Sequence, residues 1–251
     1  MAVIFPFGEG ATDQIVFDFL QSKLFSDQDI NKFVSVNGKD NFPLRIKQIV
    51  EGEILPNRSF SILIFRDLDA GERAESVAQA FRDIVWDLLS GWGLRPGIQP
   101  HQQHANLYVC VQPSSTTEPG LRCCLHLADN STLGLPMKLL NATTDGYILA
   151  AGLTDAVLER FAAKASSDVQ AIHTLVTALI PDTIRQTNIL FEQDKDYLAA
   201  YLCATRFWAI HRTEEQARLM RIILERIWKY DKNAFQQMFA SWQMAVDEAL
   251  K

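Results

Sequence analysis

The stretch Ser61-Ile-Leu-Ile-Phe-Arg-Asp67-Leu-Asp69-Ala-Gly71-Glu72 decides the fold. It opens on an apolar, β-branched run, too short for a helix and typical of a strand buried on both faces. The run ends on two aspartates one residue apart, then glycine, then a long helical pattern. In an open α/β sheet ligands bind at the carboxyl ends of the strands, so Asp67 and Asp69 stand where chemistry is expected. Two carboxylates at one strand mouth supply hard oxygen ligands that can share a divalent cation. The same residues also suit a solvated turn and a helix N-cap, and the pair alone does not separate the two readings.

Upstream, Ala2-Val-Ile-Phe5 reads as a short buried strand running into Gly8-Glu9-Gly10-Ala-Thr12-Asp13. Ile15, Val16, Phe19 and Leu20 then share one helix face, with Thr12 or Asp13 as N-cap. Glycines on both sides of Glu9 allow a tight turn and a close approach to a ligand, although a plain turn glutamate fits too. Phe33–Val36 is a second strand closed by Asn37-Gly38. Asn41 caps a helix with Pro43 in its first turn and Leu44, Ile46, Ile49 and Val50 as apolar positions. After Gly71 a helix runs to about Ser90, lined by Val77, Phe81, Ile84, Val85, Leu88 and Leu89. The resulting β-α-β-α-β-α order implies parallel strands with right-handed crossovers.

Gly91 to His104 reads as a loop, and His101 and His104 have no neighbours in sequence to complete a metal set. Leu107–Val111 and Leu121–Leu127 are two further strands joined as a long hairpin. The second ends at Ala128-Asp129-Asn130, again a strand mouth bearing a carboxylate. From about Asp155 strand signals stop and helical periods follow one another: Asp155–Lys164, Asp168–Ile180, Asp194–His211, Thr213–Tyr230 and Lys232–Leu250. Asp168, Asp194 and Thr213 sit at N-cap positions, and Pro181 is expected to end the second helix. Trp208, Trp228 and Trp242 read as packing anchors rather than base-stacking platforms. The expected division is an α/β domain over 1–150 and a helical region over 151–251, packed on that domain or on a partner.

The 251 residues are 48% hydrophobic and 22% charged, the balance of a globular protein. A net charge of -6 excludes the overall basic field of a dedicated nucleic-acid binder, though not a local basic groove. Cys110, Cys123, Cys124 and Cys203 have no Cys-x-x-Cys spacing and read as reduced core residues of a cytoplasmic protein. The N-terminal residues lack signal-peptide features, and no apolar run approaches membrane-spanning length.

Glu9 and the Asp67/Asp69 pair belong together. The ends of the first and third strands of a parallel sheet can lie side by side, and three converging carboxylates need a counter-charge such as a divalent cation. Gly8-Glu9-Gly10-Ala-Thr-Asp13 on the first strand turn, with Asp67-Leu-Asp69 after a later apolar strand, resembles the Toprim domain. The nearest likeness is to the short stand-alone bacterial Toprim proteins, close to the overcoming-lysogenization-defect nucleases, over roughly residues 1 to 140. The resemblance implies a mainly parallel α/β sheet flanked by helices, followed here by an all-helical C-terminal extension. It implies Mg²⁺ (or Mn²⁺) at Asp67 and Asp69, with Glu9 as a further ligand or general acid/base. Asp13 and Asp129 are additional candidate ligands. One departure stands out: where that group carries a further acid, this chain has Gly134-Leu-Pro-Met-Lys138.

The first functional reading is therefore a metal-dependent nuclease cleaving or nicking DNA or RNA, in defence against foreign nucleic acid. The alternative is a catalytically weak Toprim-like regulatory or interaction module, acting through its helical tail on a partner protein or a second copy. A haloacid-dehalogenase-type phosphotransferase is discounted, because Gly71 and Glu72 stand where that chemistry wants a hydroxyl and Glu9 would have no role. A basic rim around the carboxylates, with candidates Arg66, Arg73, Lys195 and Arg206, would favour a nucleic-acid substrate.

Overall fold

β3 (Phe60–Arg66) lies near the middle of a six-stranded sheet of order β2-β1-β3-β6-β5-β4. The computed structural model describes residues 3–53, 59–88, 97–112, 120–208 and 215–251, without the side chains of 49–53, 88 and 206–208. β1 (Val3–Gly8) runs parallel to β3 and to the short β2 (Val34–Ser35), and β3 runs parallel to β6 (Leu121–Leu127). β5 (Leu107–Gln112) and β4 (Ile98–Pro100) close the far edge antiparallel. The chain is thus α/β with a mostly parallel sheet flanked by helices and a helical C-terminal region, as the sequence leads one to expect.

Six of the seven residues of β3 are buried, because both faces of the sheet are covered. On one face Ile62 and Ile64 pack with Phe42 and Ile46 of α2 (Phe42–Glu53) and Val77, Phe81 and Val85 of α3 (Ala74–Leu88). On the other, Phe65 meets Phe17 of α1 (Ala11–Leu24), Phe33 and Trp242. Trp242 is fully buried and stacks on Phe65 with ring centroids 4.0 Å apart and planes 10° apart. His126 lies beside both of these stacked rings, its Nε2 within hydrogen-bond distance of Ser241 Oγ at 2.9 Å. Burial pushes the His126 imidazole down to about 3, with His104 adding to the shift, so it is a neutral core residue.

Several expected boundaries move, each for a physical reason. β1 continues through Pro6 to Gly8, since its register with β3 runs as far as Gly8↔Phe65. Asp13 is not the N-cap of α1: Gly10 holds that place, and Asp13 reaches back to accept the Gly10 N–H at 2.9 Å. Leu44 is exposed; Phe42 and Ile46, four apart, form the buried face of α2. Part of the loop expected over 91–104 pairs as β4. Cys110, Cys123 and Cys124 are buried thiols as expected, whereas Cys203 is exposed. Leu89 and Thr213, expected in helices, lie outside the described residues, as do the side chains of Ile49, Val50, Leu88 and Trp208.

The chain divides into two compact units, one of 1–128 with 240–251 and one of 129–239. The division therefore falls earlier than the expected 150/151, and the last helix, α11 (Ala240–Leu250), returns to the sheet unit beside β6, β3 and β5. Within the helical unit, α4 (Thr144–Gly152) packs on α8 (Asp194–Trp208) and α9 (Gln216–Tyr230). α5 (Asp155–Ala165) packs on α6 (Val169–Thr174) and α9. Asp168 caps α6 through Gln170 N, as predicted. Pro181 does not end that helix. A π-helical turn over Leu175–Leu179, in which the Ile180 N–H reaches back to Leu175 O, carries the chain into α7 (Ile180–Arg185), with Pro181 in its first turn. Asp231 caps α10 (Lys232–Met238), and Trp228 sits edge-on to Phe235 at 5.2 Å.

Asp194 opens α8 with its carboxylate wholly buried. It accepts from Thr143 N at 2.8 Å, Thr143 Oγ1 at 2.6 Å, Asn130 Nδ2 at 3.2 Å and Lys195 N at 2.8 Å. This buried acid joins the loop before α4 to the start of α8, and its hydrogen bonds offset its desolvation. Among the described residues no helix is long and apolar enough to cross a membrane.

Candidate acidic site at the ends of β1 and β3

Glu9 and Asp67 meet because β1 and β3 are parallel and in register. With Gly8 opposite Phe65, the residues leaving each strand emerge side by side. Glu9 Oε1 accepts the Asp67 backbone N–H at 3.2 Å, and its carbonyl accepts the Gly38 N–H at 3.0 Å from the turn after β2. Gly8 is demanded by this crowding, since a Cβ there would lie 2.5 Å from the Phe33 ring and 2.6 Å from Asp13 Cβ. Gly71 turns the chain after Asp69 at φ +83, in the left-handed region that glycine favours.

Around this junction lies a network that the sequence reading did not anticipate. Arg66 grips Glu72 with two hydrogen bonds, Nη1 to Oε2 at 3.2 Å and Nη2 to Oε1 at 3.0 Å. Its Nε stands 3.7 Å from Glu9 Oε1. Lys39 bridges Asp69 and Glu72, the latter at 3.0 Å, and Glu72 also accepts the Asp69 N–H at 3.1 Å. Burial raises the Glu72 carboxyl, but the Arg66 and Lys39 bonds overcome this and hold it at about 2. Lys39 and Glu72 are the members of this network missed from sequence. The available signals were a carboxylate three residues beyond Asp69 and a lysine in the turn closing β2.

Glu9 behaves in the opposite way. Burial pushes its carboxyl up to about 7; Arg66 pulls against this, while Asp13 and Asp69 add to it. Asp13, 2% exposed, lies behind Gly10 on the same turn. Glu9 is thus a carboxylic acid poised between its two forms near neutral pH, the property that general acid/base work needs.

The remaining expected residues divide as follows. Asp67 is half-buried and Asp69 exposed. Among the described residues no three His, Cys, Asp or Glu side chains already converge as a metal-binding group. Asp129 belongs to the helical unit, where its carboxylate accepts the Ser131 N–H at 2.9 Å. Of the expected basic rim, Arg66 is committed to Glu72. Arg73 is exposed and helps line a cavity of about 610 Å³ whose walls include Phe42, Ile64 and Phe81. Lys195 lies in the helical unit, in the first turn of α8, and the Arg206 side chain lies outside the described residues. His101 and His104 stack at 5.9 Å, and His101 faces Glu248 at 3.4 Å, so His101 lies in an ion cluster with Arg122 and Lys251.

The donor set at the strand ends, Glu9, Asp67 and Asp69, is all oxygen. Mg²⁺ is commonly held by one or two carboxylates with waters completing its shell, so a ready-made cage is not required. Burial raises the proton affinity of Glu9, with Asp13 and Asp69 adding to the shift against the pull of Arg66. Glu9, Asp67 and Asp69 are the residues that could hold a single hard divalent cation, for which Lys39 would compete at Asp69. No protein-family model, curated protein or solved structure matches the chain.

Proposed function

We propose that the acidic ends of β1 and β3 form a cation-dependent phosphodiesterase centre of the Toprim kind, which nicks or cleaves DNA or RNA. The observation that carries this reading is the junction of Glu9 with Asp67, in which the glutamate is both hydrogen-bonded across the strands and raised to about 7. Asp67 would hold Mg²⁺ or Mn²⁺, joined by Asp69 once Lys39 moves aside, with Glu9 either as a further ligand or, off the cation, as the general acid/base. When bound, the cation supplies Lewis-acid polarisation of a phosphoryl oxygen. In the second of these roles Glu9 takes or returns a proton at its carboxyl oxygen. Arg66, fixed by Glu72, keeps a guanidinium beside the reacting groups. Arg73, exposed at the start of α3, offers a contact to a substrate phosphate. With Lys138 in place of a further acid, one cation and slow nicking are expected rather than rapid double-strand cutting. A role in defence against foreign nucleic acid and a cytoplasmic setting belong to this same reading.

A second reading has its own observation. Lys39 and Arg66 already neutralise Asp69 and Glu72, which suits a catalytically weak interaction module working through its helices on a partner protein or a second copy. Incubation of supercoiled plasmid and of single-stranded DNA and RNA with Mg²⁺ or Mn²⁺ separates the two. Cleavage lost in Glu9→Gln supports the enzyme. Absence of cleavage from the wild type on every substrate, with the protein folded, rejects it in favour of the module.

A further inference from the structure

The helical unit carries a second charged feature, remote in chemistry from the acidic strand ends. Arg160 and Lys164 of α5 face Arg226 and Lys229 of α9 across a cleft of about 420 Å³, in which Glu225 is the one lining carboxylate. Among the described residues none of these four cations makes an ion pair or hydrogen bond. Their visible partners are rings: Arg160 lies 4.1 Å from the Tyr230 centroid and Arg226 lies 4.0 Å from that of Phe161. Lys229 also approaches Tyr230, at 5.2 Å.

Four like charges gathered in one cleft repel one another, and in a chain of net charge -6 such a gathering is not a by-product of composition. Arg226 sharpens the point. Its Nη1 is buried and has no hydrogen-bond partner, an arrangement that costs stability unless something else satisfies it. Burial lowers the proton affinity of this guanidinium; Tyr201 and Tyr230 oppose the shift and Arg160 adds to it. With four cations against the single carboxylate of Glu225, the cleft is short of negative charge, and an anion that accepts hydrogen bonds from guanidinium groups would supply it.

We propose that the α5–α9 cleft binds the phosphate chain of a nucleotide or of an inorganic polyphosphate. Phosphate oxygens match both the arginine forks and the lysine point charges. A single phosphodiester unit brings one negative charge, too little for four cations, whereas a phosphate chain concentrates several in the same space. The cleft's volume accommodates such a chain. Tyr230 and Phe161 lie against the two guanidinium groups, so the donors are positioned before the anion arrives.

The test is titration of the full chain with tripolyphosphate, ATP, adenosine and a single-stranded oligonucleotide. All are run with EDTA, so that a divalent-cation site at Glu9 contributes nothing and the two ideas fail separately. Tripolyphosphate and ATP are expected to bind and adenosine not to. Charge reversals at the exposed Lys164→Glu and Lys229→Glu should each weaken binding by about tenfold or more. Lys32→Glu, an exposed change in the other unit, should leave affinity alone, and circular dichroism checks that each variant is folded. ATP binding well above tripolyphosphate identifies a nucleotide as the source, and equal binding identifies the phosphate chain itself. Failure of both to bind in the millimolar range overturns the proposal. So does binding indifferent to Lys164 and Lys229, or an oligonucleotide preferred over both.

Discussion

Glu9 accepts the backbone N–H of Asp67 at 3.2 Å across a separation of 58 residues. The bond draws the ends of two parallel strands into one acidic junction. Asp13 behind it and Asp69 in front push Glu9 towards its protonated form, and burial does most of the work.

That shift gives Glu9 a signature in folding. A carboxyl whose affinity is higher folded than unfolded contributes stability at low pH, which is lost as pH rises through the folded value. The window runs from about 4.5, the ordinary glutamate value, to about 7. In Glu9→Gln the decline across that window should shrink by on the order of 2 kcal/mol, allowing for partial solvent screening. Glu72 acts with the opposite sign and lower down, losing its contribution only as pH falls from about 4.5 to about 2. Urea melts at several pH values check this; identical slopes for wild type and variant would contradict it.

Lys39 pairs with Asp69, so under the proposed function it competes with the cation there. Lys39→Met removes that competitor while keeping the apolar stem, so Mn²⁺ should bind several-fold more tightly, on the order of 1 kcal/mol. Fluorescence quenching by Mn²⁺ measures it. Weaker binding in the variant would mean that Lys39 orders the site rather than blocks it.

Trp242 fixes the C-terminal helix to the sheet by stacking on Phe65 and lying beside His126. Trp242→Ala should cost about 3–5 kcal/mol, the range for deleting a large buried aromatic. A thermal or urea melt reads the loss directly, and a change below about 1 kcal/mol would show that α11 is not part of this core.

Asp194→Ala strips Thr143 N, Thr143 Oγ1 and Asn130 Nδ2 of their shared acceptor inside the helical unit. The expected cost is about 3 kcal/mol or more, because each orphaned buried donor carries a desolvation penalty. Asp194→Asn, which keeps an oxygen acceptor, should recover part of it. Equal loss in both variants would place the effect in the charge rather than in the acceptor.

The sheet was legible because its strands announce themselves by composition. The run Ser61 to Phe65 can be little else, and the β-α-β order fixes its parallel neighbours. α4 was not legible: eight of its nine residues are buried, so it has no polar face to set a helical period. β4 was hidden for another reason, being three residues long and including Pro100 at a sheet edge. At the site, Glu9, Asp67 and Asp69 stood out through their strand-end positions and glycine neighbours. Lys39 and Glu72 did not, since their meaning lies in pairing across 33 residues rather than in any local pattern. Asp194 reads in sequence as a plain helix cap, and only the fold reveals that its acceptors serve Thr143 and Asn130.

Under the proposed function the acidic ends of β1 and β3 act as one divalent-cation centre. Calorimetric titration of the full chain with Mn²⁺ tests it most directly, comparing wild type with Asp67→Ala and Asp129→Ala. One site is expected in the wild type, lost in Asp67→Ala and kept in Asp129→Ala. Two equivalent sites, or binding that survives in Asp67→Ala, would contradict it.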